Sequence, residues 1–471
     1  MAKQSGAKQS GAKQSGAKRS CLAIILAAGE GTRMKSSMPK VLHRVAGLPM
    51  LGHVLNAAKA GGATATAVVI GPNAEAVAGF VGKAAPGANA FVQTERLGTG
   101  HAVLAAKKAL MAGDDDVLVL FGDTPLVTGA TLKKLRGALA RGADIAVLGF
   151  RPPSPTGYGR LVMQGRQLVA IREEKDASAD EKAIGLCNAG AMAFQGKGLT
   201  KLLAKIGNTN AKGEYYMTDA VEIAGAAGGK VVVVEADADE VAGVNSRAQL
   251  AEVEALFQKR ARAEALAGGV TMTAPDTVWF SHDTKLGRDV TIEPNVFFGP
   301  GVTVADNVEI RANCHFEGAT IASGAIVGPF ARLRPGADIG PDVHIGDFVE
   351  VKAARLDKGA KANHLAYIGD AHVGAGTNIG AGTITANYDG FFKHRTEIGD
   401  NVSIGSNAVL VAPVKIGDGA SVAAGSTISR DVSPDALALA RGQQVEKPQW
   451  ARRFREKKSA EKAAARKPTR R

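Results

Sequence analysis

From Cys21 to about residue 250 the chain alternates short apolar runs with longer stretches of helical apolar spacing. The runs are Leu22–Leu26, Thr66–Ile70, Val117–Phe121, Ile145–Phe150 and Val231–Val234, and the helical stretches include Leu51–Ala60 and Gly100–Ala112. Runs with no polar alternation read as strands buried on both faces, and their alternation with helices predicts parallel strands joined by crossover helices. Residues 21–250 are therefore expected to form an α/β Rossmann-like domain. Ligands in such sheets bind beyond the carboxyl ends of the strands. The following segment, AEVEALFQKRARAEALAG, keeps helical spacing until Gly268-Gly269 and predicts one linker helix within 251–270.

Beyond it the period changes from helical to six. Steps of six from Ile292 meet Phe298, Val304, Ile310 and Phe316. From Ile321 they meet Val327, Leu333, Ile339, Ile345 and Val351, and from Ile398 they meet Leu410, Val422 and the isoleucines at 404, 416 and 428. Every one of these positions is large and apolar, and small or β-branched residues recur four places after each start, as at Val296, Val302 and Val308. A β-sandwich gives no reason for one spacing held so long, whereas a left-handed parallel β-helix of hexapeptide repeats requires it. That solenoid is assigned to 271–446. Between Val351 and Ile398 the register is broken by KAARLDKGAKANHLAYIGD and again by ANYDGFFKHRT. Breaks in a solenoid are expected to become loops on one face, and these carry Lys352, His364, Tyr367, Asn378, Asn387 and Tyr388.

At 471 residues there is room for two or more domains, and the formal net charge is +13. Its location decides what it means. Residues 1–20 hold five Lys/Arg and no acid, and residues 447–471 hold eleven Lys/Arg against Glu456 and Glu461, so the chain between the ends is close to neutral. The excess gives no sign of a nucleic-acid-binding face on the folded part. The first twenty residues repeat AKQSG and are expected to be a disordered low-complexity tail, and 447–471 a solvated basic tail. The cysteines Cys21, Cys187 and Cys314 are odd in number and far apart, which argues against a disulfide framework and for a reducing compartment. No apolar run approaches the roughly 18 residues of a membrane span and the N-terminus has no h-region, so a soluble cytoplasmic protein is expected.

The first strand runs straight into LAAGEGTRM, Leu26 to Met34. A glycine loop at a strand end brings backbone N–H groups up to a phosphate. The third glycine of the dinucleotide fingerprint and the G-K-[ST] of a P-loop are both missing. What remains is close backbone approach plus Arg33, whose planar fork suits phosphate oxygens. Asp123 ends another apolar run, within LFGDTP, where a carboxylate is a natural ligand for a hard cation.

LAAGEGTRM, then PKVLH, QTERLGTGHA, FGDTPL, GYGR, EEKDA, CNAG and AGVN, followed by a hexapeptide solenoid with GPFARLRPG, NHLAYIGDA and GAGTITANYDG, resembles the bacterial bifunctional N-acetylglucosamine-1-phosphate uridyltransferase/glucosamine-1-phosphate acetyltransferases. The match runs in order from residue 21 to about 450. It implies acetyl transfer from acetyl-CoA to glucosamine 1-phosphate, then uridylyl transfer from UTP to N-acetylglucosamine 1-phosphate with release of pyrophosphate. The product, UDP-N-acetylglucosamine, feeds peptidoglycan and lipopolysaccharide precursors.

For uridylyl transfer the resemblance implies Leu26, Ala27 and Gly29 in the loop, Arg33 and Lys40 as the cationic clamp, Gln93, Gly98 and Thr99 at uracil, and Gly159, Glu173 and Asn188 at the sugar. Asp123 and Asn245 are implied as the Mg²⁺ ligands. For acetyl transfer it implies His364 as the base, since an ammonium must lose a proton before it attacks. Arg334 and Lys352 are implied at the sugar phosphate, Tyr367 and Asn378 around the sugar, and Glu350 as the group that orients or polarises the pair. Ala381, Asn387, Tyr388, Ser406, Ala424 and Arg441 are implied as acetyl-CoA contacts. The resemblance also implies a homotrimer in which loops of one solenoid reach a neighbour. Asn363 stands where the family commonly has glycine, and asparagine tolerates the left-handed backbone better than most residues.

Two other functions remain open on the residues alone. A non-catalytic nucleotide-binding regulatory subunit would need no joint retention of Arg33, Lys40, Asp123, Asn245 and His364. A single-activity sugar-nucleotide pyrophosphorylase would need no intact NHLAYIGDA or NYDG.

Overall fold

The computed structural model describes residues 19–465, so the AKQSG repeats lie outside the described residues. The chain divides into two compact units. One holds the described residues up to Ala265 with Trp279–Asp283, and the other holds Leu266–Val278 with the chain from Thr284 onward.

The first unit is built on a nine-stranded sheet whose central order is Val231–Glu235, Ile145–Phe150, Cys187–Gln195, Asp116–Phe121, Cys21–Ala27, Ala65–Ile70, Asn89–Val92. Cys21–Ala27 pairs in parallel with both neighbours. Its alternate residues feed two cores: Cys21, Ala23 and Ile25 pack with Leu51, Val54 and Leu118, whereas Leu22, Ile24 and Leu26 pack with Val69, Val103 and Val119. That is why the run is apolar throughout. One strand departs from the expected parallel sheet. Cys187–Gln195 runs antiparallel to Asp116–Phe121 and to Ile145–Phe150, and the hairpin Arg160–Gln164/Gln167–Arg172 branches from it.

Arg19 and Ser20, at the end of the expected tail, are anchored to this sheet. Arg19 donates to the buried Asp116 carboxylate, which Arg136 also holds at 2.9 Å, and the Ser20 N–H donates to Asp115 at 2.8 Å. The helix Arg247–Ala267 fixes a strap to the same unit, where Gln258 exchanges hydrogen bonds with the Phe280 backbone at 2.7 and 2.8 Å.

The second unit is a parallel β-helix. Three sheets of ten, eight and eight short parallel strands form its sides. The inward positions read from the six-residue period are all buried, none more than 5 % exposed. The first expected loop is not one. Across 352–370 the coil continues through Ala354–Leu356, Lys361–His364 and Tyr367–Gly369, with Leu356, Ala362 and Ile368 pointing inward. Asp347 and His364 are register partners 17 residues apart, one residue short of three hexapeptides, so the phase shifts while the wall stays intact. Only the second break is an excursion: residues 387–394 form a hairpin closed by the Tyr388–Lys393 bridge and by His394 N–H donating to Asn387 O at 2.8 Å.

The segment Trp450–Ala465 is an exposed helix. Among the described residues no helix is long and apolar enough to cross a membrane.

Candidate functional site

The first strand delivers Leu26 and Ala27 to the glycine loop. Gly31 has φ 64°, and a Cβ there would sit 2.5 Å from Lys40 Cβ, so the loop closes onto Lys40 only because the position is glycine. Lys40 Nζ donates to Asp123 and, at 3.1 Å, to Asn245 Oδ1. The two acceptors are tied by their backbones, with Val244 N–H donating to Asp123 O at 2.9 Å. Arg33 is exposed beside this cluster in sequence and engages no partner among the described residues.

Leu26, Gly29, Gln93, Gly98 and Thr99 line one cleft of about 260 Å³. Gln93 is buried and its Nε2 donates to Gly98 O at 3.2 Å, which fixes the amide. The wall beyond it was invisible to sequence reasoning. Tyr215 N–H donates to Leu97 O and Gly100 N–H to Tyr215 O, while Met217 N–H donates to Thr99 Oγ1 at 3.0 Å. Arg96 braces the glycine loop by pairing with Glu30 and donating to Ala28 O. Asn188 N–H donates to Gly159 O at 2.8 Å, so those two expected sugar residues are adjacent.

Glu173 lines a second cleft, about 530 Å³, with Arg172, Asp176, Tyr216 and Asp219. Burial raises its carboxyl pKa, against the pull of Lys212. Glu214 faces the first cleft and Tyr216 the second, so one short segment borders both. The GEYYMTD string could have suggested this segment, but nothing in its spacing did.

On the β-helix, Arg332, Glu350, Tyr367 and Ile384 are register neighbours on one sheet. Glu350 accepts from Arg334 at 2.8 Å and pairs with Arg332 at 3.6 Å, so this carboxylate is committed to arginines. Lys352 crowds Lys393, whose amine pKa is lowered mainly by that neighbour. Asn387 is buried and donates to Asp370, whose own N–H donates to Lys352 O at 3.0 Å. Tyr388 closes its hairpin through Gly390 O at 2.6 Å. Asp389 caps the Phe391 and Phe392 amides and pairs with His394, contacts that hold its carboxyl down at about 2.

His364 lies at the end of Lys361–His364, and its Nδ1 is 2.6 Å from Asp347 Oδ1. Corner hydrogen bonds stack the coils above it: Leu365 N–H to Asp347 O, Gly382 N–H to His364 O, Asn407 N–H to Ala381 O and Gly425 N–H to Ser406 O. Asp347, His364, Ala381, Ser406 and Ala424 thus form one column, and Arg441 closes on Ala424 O at 2.9 Å. Asn378 lies on the adjoining ladder, between Lys361 and Ser403. Asn363 does not use left-handed backbone; in its coil Leu365 does, at φ 49°. Asp347, Arg332, Asp370 and Lys393 were missed by sequence reasoning. A coil length of 17 would have put Asp347 beneath His364.

Comparison with known proteins agrees with both halves. A MobA-like NTP transferase domain matches residues 23–182, and the bacterial transferase hexapeptide (six repeats) matches 283–318 and 395–430. The bifunctional protein GlmU of Xanthobacter autotrophicus is 62% identical over 444 residues, covering 94% of this chain and 99% of the relative. That of Azorhizobium caulinodans is 60% identical over 437 residues, 93% of this chain and 98% of the relative. That of Agrobacterium fabrum is 54% identical over 449 residues, 95% and 99%. With an NTP-transferase sheet, a hexapeptide solenoid and near-full-length identity in the same order, the chain belongs to the GlmU family of bifunctional proteins.

Proposed function

We propose that the chain makes UDP-N-acetylglucosamine in two steps at two sites, one in each unit. It is a bifunctional transferase with uridyltransferase and acetyltransferase activities. The observation that carries the site assignment is the convergence of Lys40, Asp123 and Asn245 on one point against the glycine loop, although Lys40 and Asn245 lie 205 residues apart.

In the uridylyl step the phosphate of N-acetylglucosamine 1-phosphate attacks the α-phosphorus of UTP, a P–O bond forms, and the bond to pyrophosphate breaks. Catalysis is positioning and charge neutralisation. Arg33, which has no partner among the described residues, and Lys40 supply cations. Gln93, Gly98 and Thr99 present amide and hydroxyl groups to the base edge, and Glu173 and Asn188 orient the sugar. Asp123 and Asn245 already grip an ammonium with two oxygens, a donor set that fits Mg²⁺. When bound there, Mg²⁺ neutralises charge on the triphosphate.

In the acetyl step His364 takes a proton from the amine of glucosamine 1-phosphate, the C–N bond forms, and the C–S bond of acetyl-CoA breaks. Arg334, oriented by Glu350, and Lys352 hold the sugar phosphate, with Tyr367 and Asn378 about the ring. Acetyl-CoA lies along Ala381, Ser406 and Ala424, with Asn387, Tyr388 and Arg441 beside it. This reading is supported by the single column that Ala381, Ser406 and Ala424 share with His364.

A homotrimer is supported by one corner of the β-helix. Asn295, Asn313, Gly382 and Asn407 take its left-handed position in some coils, but Phe330, Phe348 and Leu365 take it in others, 47, 56 and 62 % exposed. Bulky apolar residues in left-handed backbone, facing water, are suited to burial against another copy. A cytoplasmic setting accords with three free, buried cysteines.

The test supplies glucosamine 1-phosphate, acetyl-CoA, UTP and Mg²⁺ and omits each in turn. UDP-N-acetylglucosamine should require all four, and its formation from glucosamine 1-phosphate without acetyl-CoA would sink the two-step reading.

A further inference from the structure

The geometry points to Asp347 as the residue that positions His364 for proton transfer. The inference rests on reading His364 as the acetyl-transfer base. Three observations carry it. First, Asp347 Oδ1 lies 2.6 Å from His364 Nδ1, and a carboxylate can only accept there, so Nδ1 must carry the hydrogen. That leaves Nε2 as the basic nitrogen and fixes the plane of the ring.

Second, the backbone holds this pairing. Asp347 and His364 are register partners, and a Cβ on Gly346 would collide with the Asn363 carbonyl, so the two strands meet this closely only because 346 is glycine. The next residue in each coil, Phe348 or Leu365, turns the corner in left-handed backbone, and Leu365 N–H donates to Asp347 O at 2.9 Å. Both side chains leave the wall at the same corner. Third, Glu350 is held by Arg334 and Arg332. Its negative charge is spent on setting the arginine fork. The two carboxylates thus divide the work: Glu350 orients the phosphate-binding arginine and Asp347 orients the base.

In the reaction, His364 Nε2 accepts the amine proton as the C–N bond forms. It returns that proton to sulfur as the C–S bond breaks, so no net proton stays on the enzyme. Throughout the cycle Asp347 keeps Nδ1–H bonded, as in other carboxylate–histidine pairs.

The test replaces Asp347 by Ala and by Asn in the full chain. Both variants should lower kcat for acetyl transfer by roughly 10-fold or more, between the ~10–100-fold cost of losing the partner of a metal-bound histidine and the ~10⁴-fold cost of losing the carboxylate of a catalytic triad. KM for both acetyl-step substrates and the rate of uridylyl transfer should stay within about twofold. Added formate should restore part of the kcat of Asp347→Ala and none of that of His364→Ala. A kcat unchanged in both variants, a loss confined to KM, or an absence of formate rescue would overturn the positioning role. If His364→Ala itself keeps acetyl transfer, the base assignment fails, and that outcome is distinct because it leaves the Asp347 variants without a base to position.

Discussion

Lys40 places its ammonium against Asp123, with Asn245 Oδ1 3.1 Å away, so a side-chain cation rests on the two oxygens proposed to hold Mg²⁺. A divalent ion entering there must displace Lys40, and a triphosphate offers the displaced ammonium a new partner. Lys40→Met removes the resident cation with little change of volume. Binding of Mn²⁺ in the absence of nucleotide, followed by electron paramagnetic resonance, should tighten in this variant. Its uridylyl transfer should fall by roughly 10²–10³-fold, the scale of losing one preorganised charge partner. Weaker Mn²⁺ binding than in the wild type would mean that Lys40 assists the site rather than occupying it.

The two chemistries should separate cleanly. Asp123→Ala deletes a cation ligand in the first unit and should abolish uridylyl transfer while leaving acetyl transfer within about twofold. His364→Ala should do the reverse. Assays of each half-reaction on both variants decide the matter, and loss of both activities from either change would contradict separate sites.

What could be read from the chain depended on whether the signal was local. Each inward residue of the β-helix is buried on its own account, so the six-residue period showed in single positions such as Ile310 and Leu333. The same period misled at 352–370, because a coil of 17 residues slips the phase by one and puts the small Ala362 inward. A loop and a shortened coil look alike to a counting rule. Strand direction was likewise hidden, since Cys187–Gln195, which runs antiparallel to both of its neighbours, carries no residue pattern that marks its direction. Asp347 and the segment around Tyr215 carry no local mark. Their meaning comes from residues one coil or more than a hundred positions away.

Glu173 trades stability for a site. Burial raises its carboxyl, so over the window above the ordinary glutamate value the folded state binds more protons than the unfolded state. Stability therefore falls as pH rises through that window. Glu173→Gln removes the ionisation, so its Tm should exceed that of the wild type at pH 7–8 and the gap should close below about pH 4, where glutamate is protonated in both states. KM for N-acetylglucosamine 1-phosphate should rise at the same time. A Tm difference independent of pH would show that Glu173 is not held against its charge.

The AKQSG repeats and the residues that follow them should behave differently. Deleting residues 1–18 should leave both activities and Tm unchanged, whereas Arg19→Ala strips a donor from the buried Asp116 and should cost about 1–3 kcal/mol in denaturant unfolding. Weak polyanion binding by the full chain should fall steeply with salt and vanish when both basic ends are removed. Salt-insensitive binding would point to a site on the folded units.

The corner of the β-helix beside His364 offers a test of the assembly that separates folding from association. Phe330 and Phe348 stack with ring centroids 5.0 Å apart and 13° between planes, both with positive φ near 55°. Left-handed backbone costs a bulky residue about 1–2 kcal/mol relative to glycine, and equivalent corners are taken by Asn313 and Asn407. Within one chain, Phe348→Asn should therefore be neutral or stabilising. Within a trimer it removes an apolar anchor and should weaken association. Sedimentation of Phe348→Asn should show a shift towards monomer at micromolar concentration with no loss in the Tm of the monomer. Acetyl transfer should fall with the trimer fraction if loops of a neighbouring solenoid complete the site, as the family resemblance implies, and uridylyl transfer should be indifferent. Mixing His364→Ala chains with Asn387→Ala chains should restore some acetyl transfer after subunit exchange if those residues serve the site from different copies. A fully active Phe348→Asn monomer would refute the shared site.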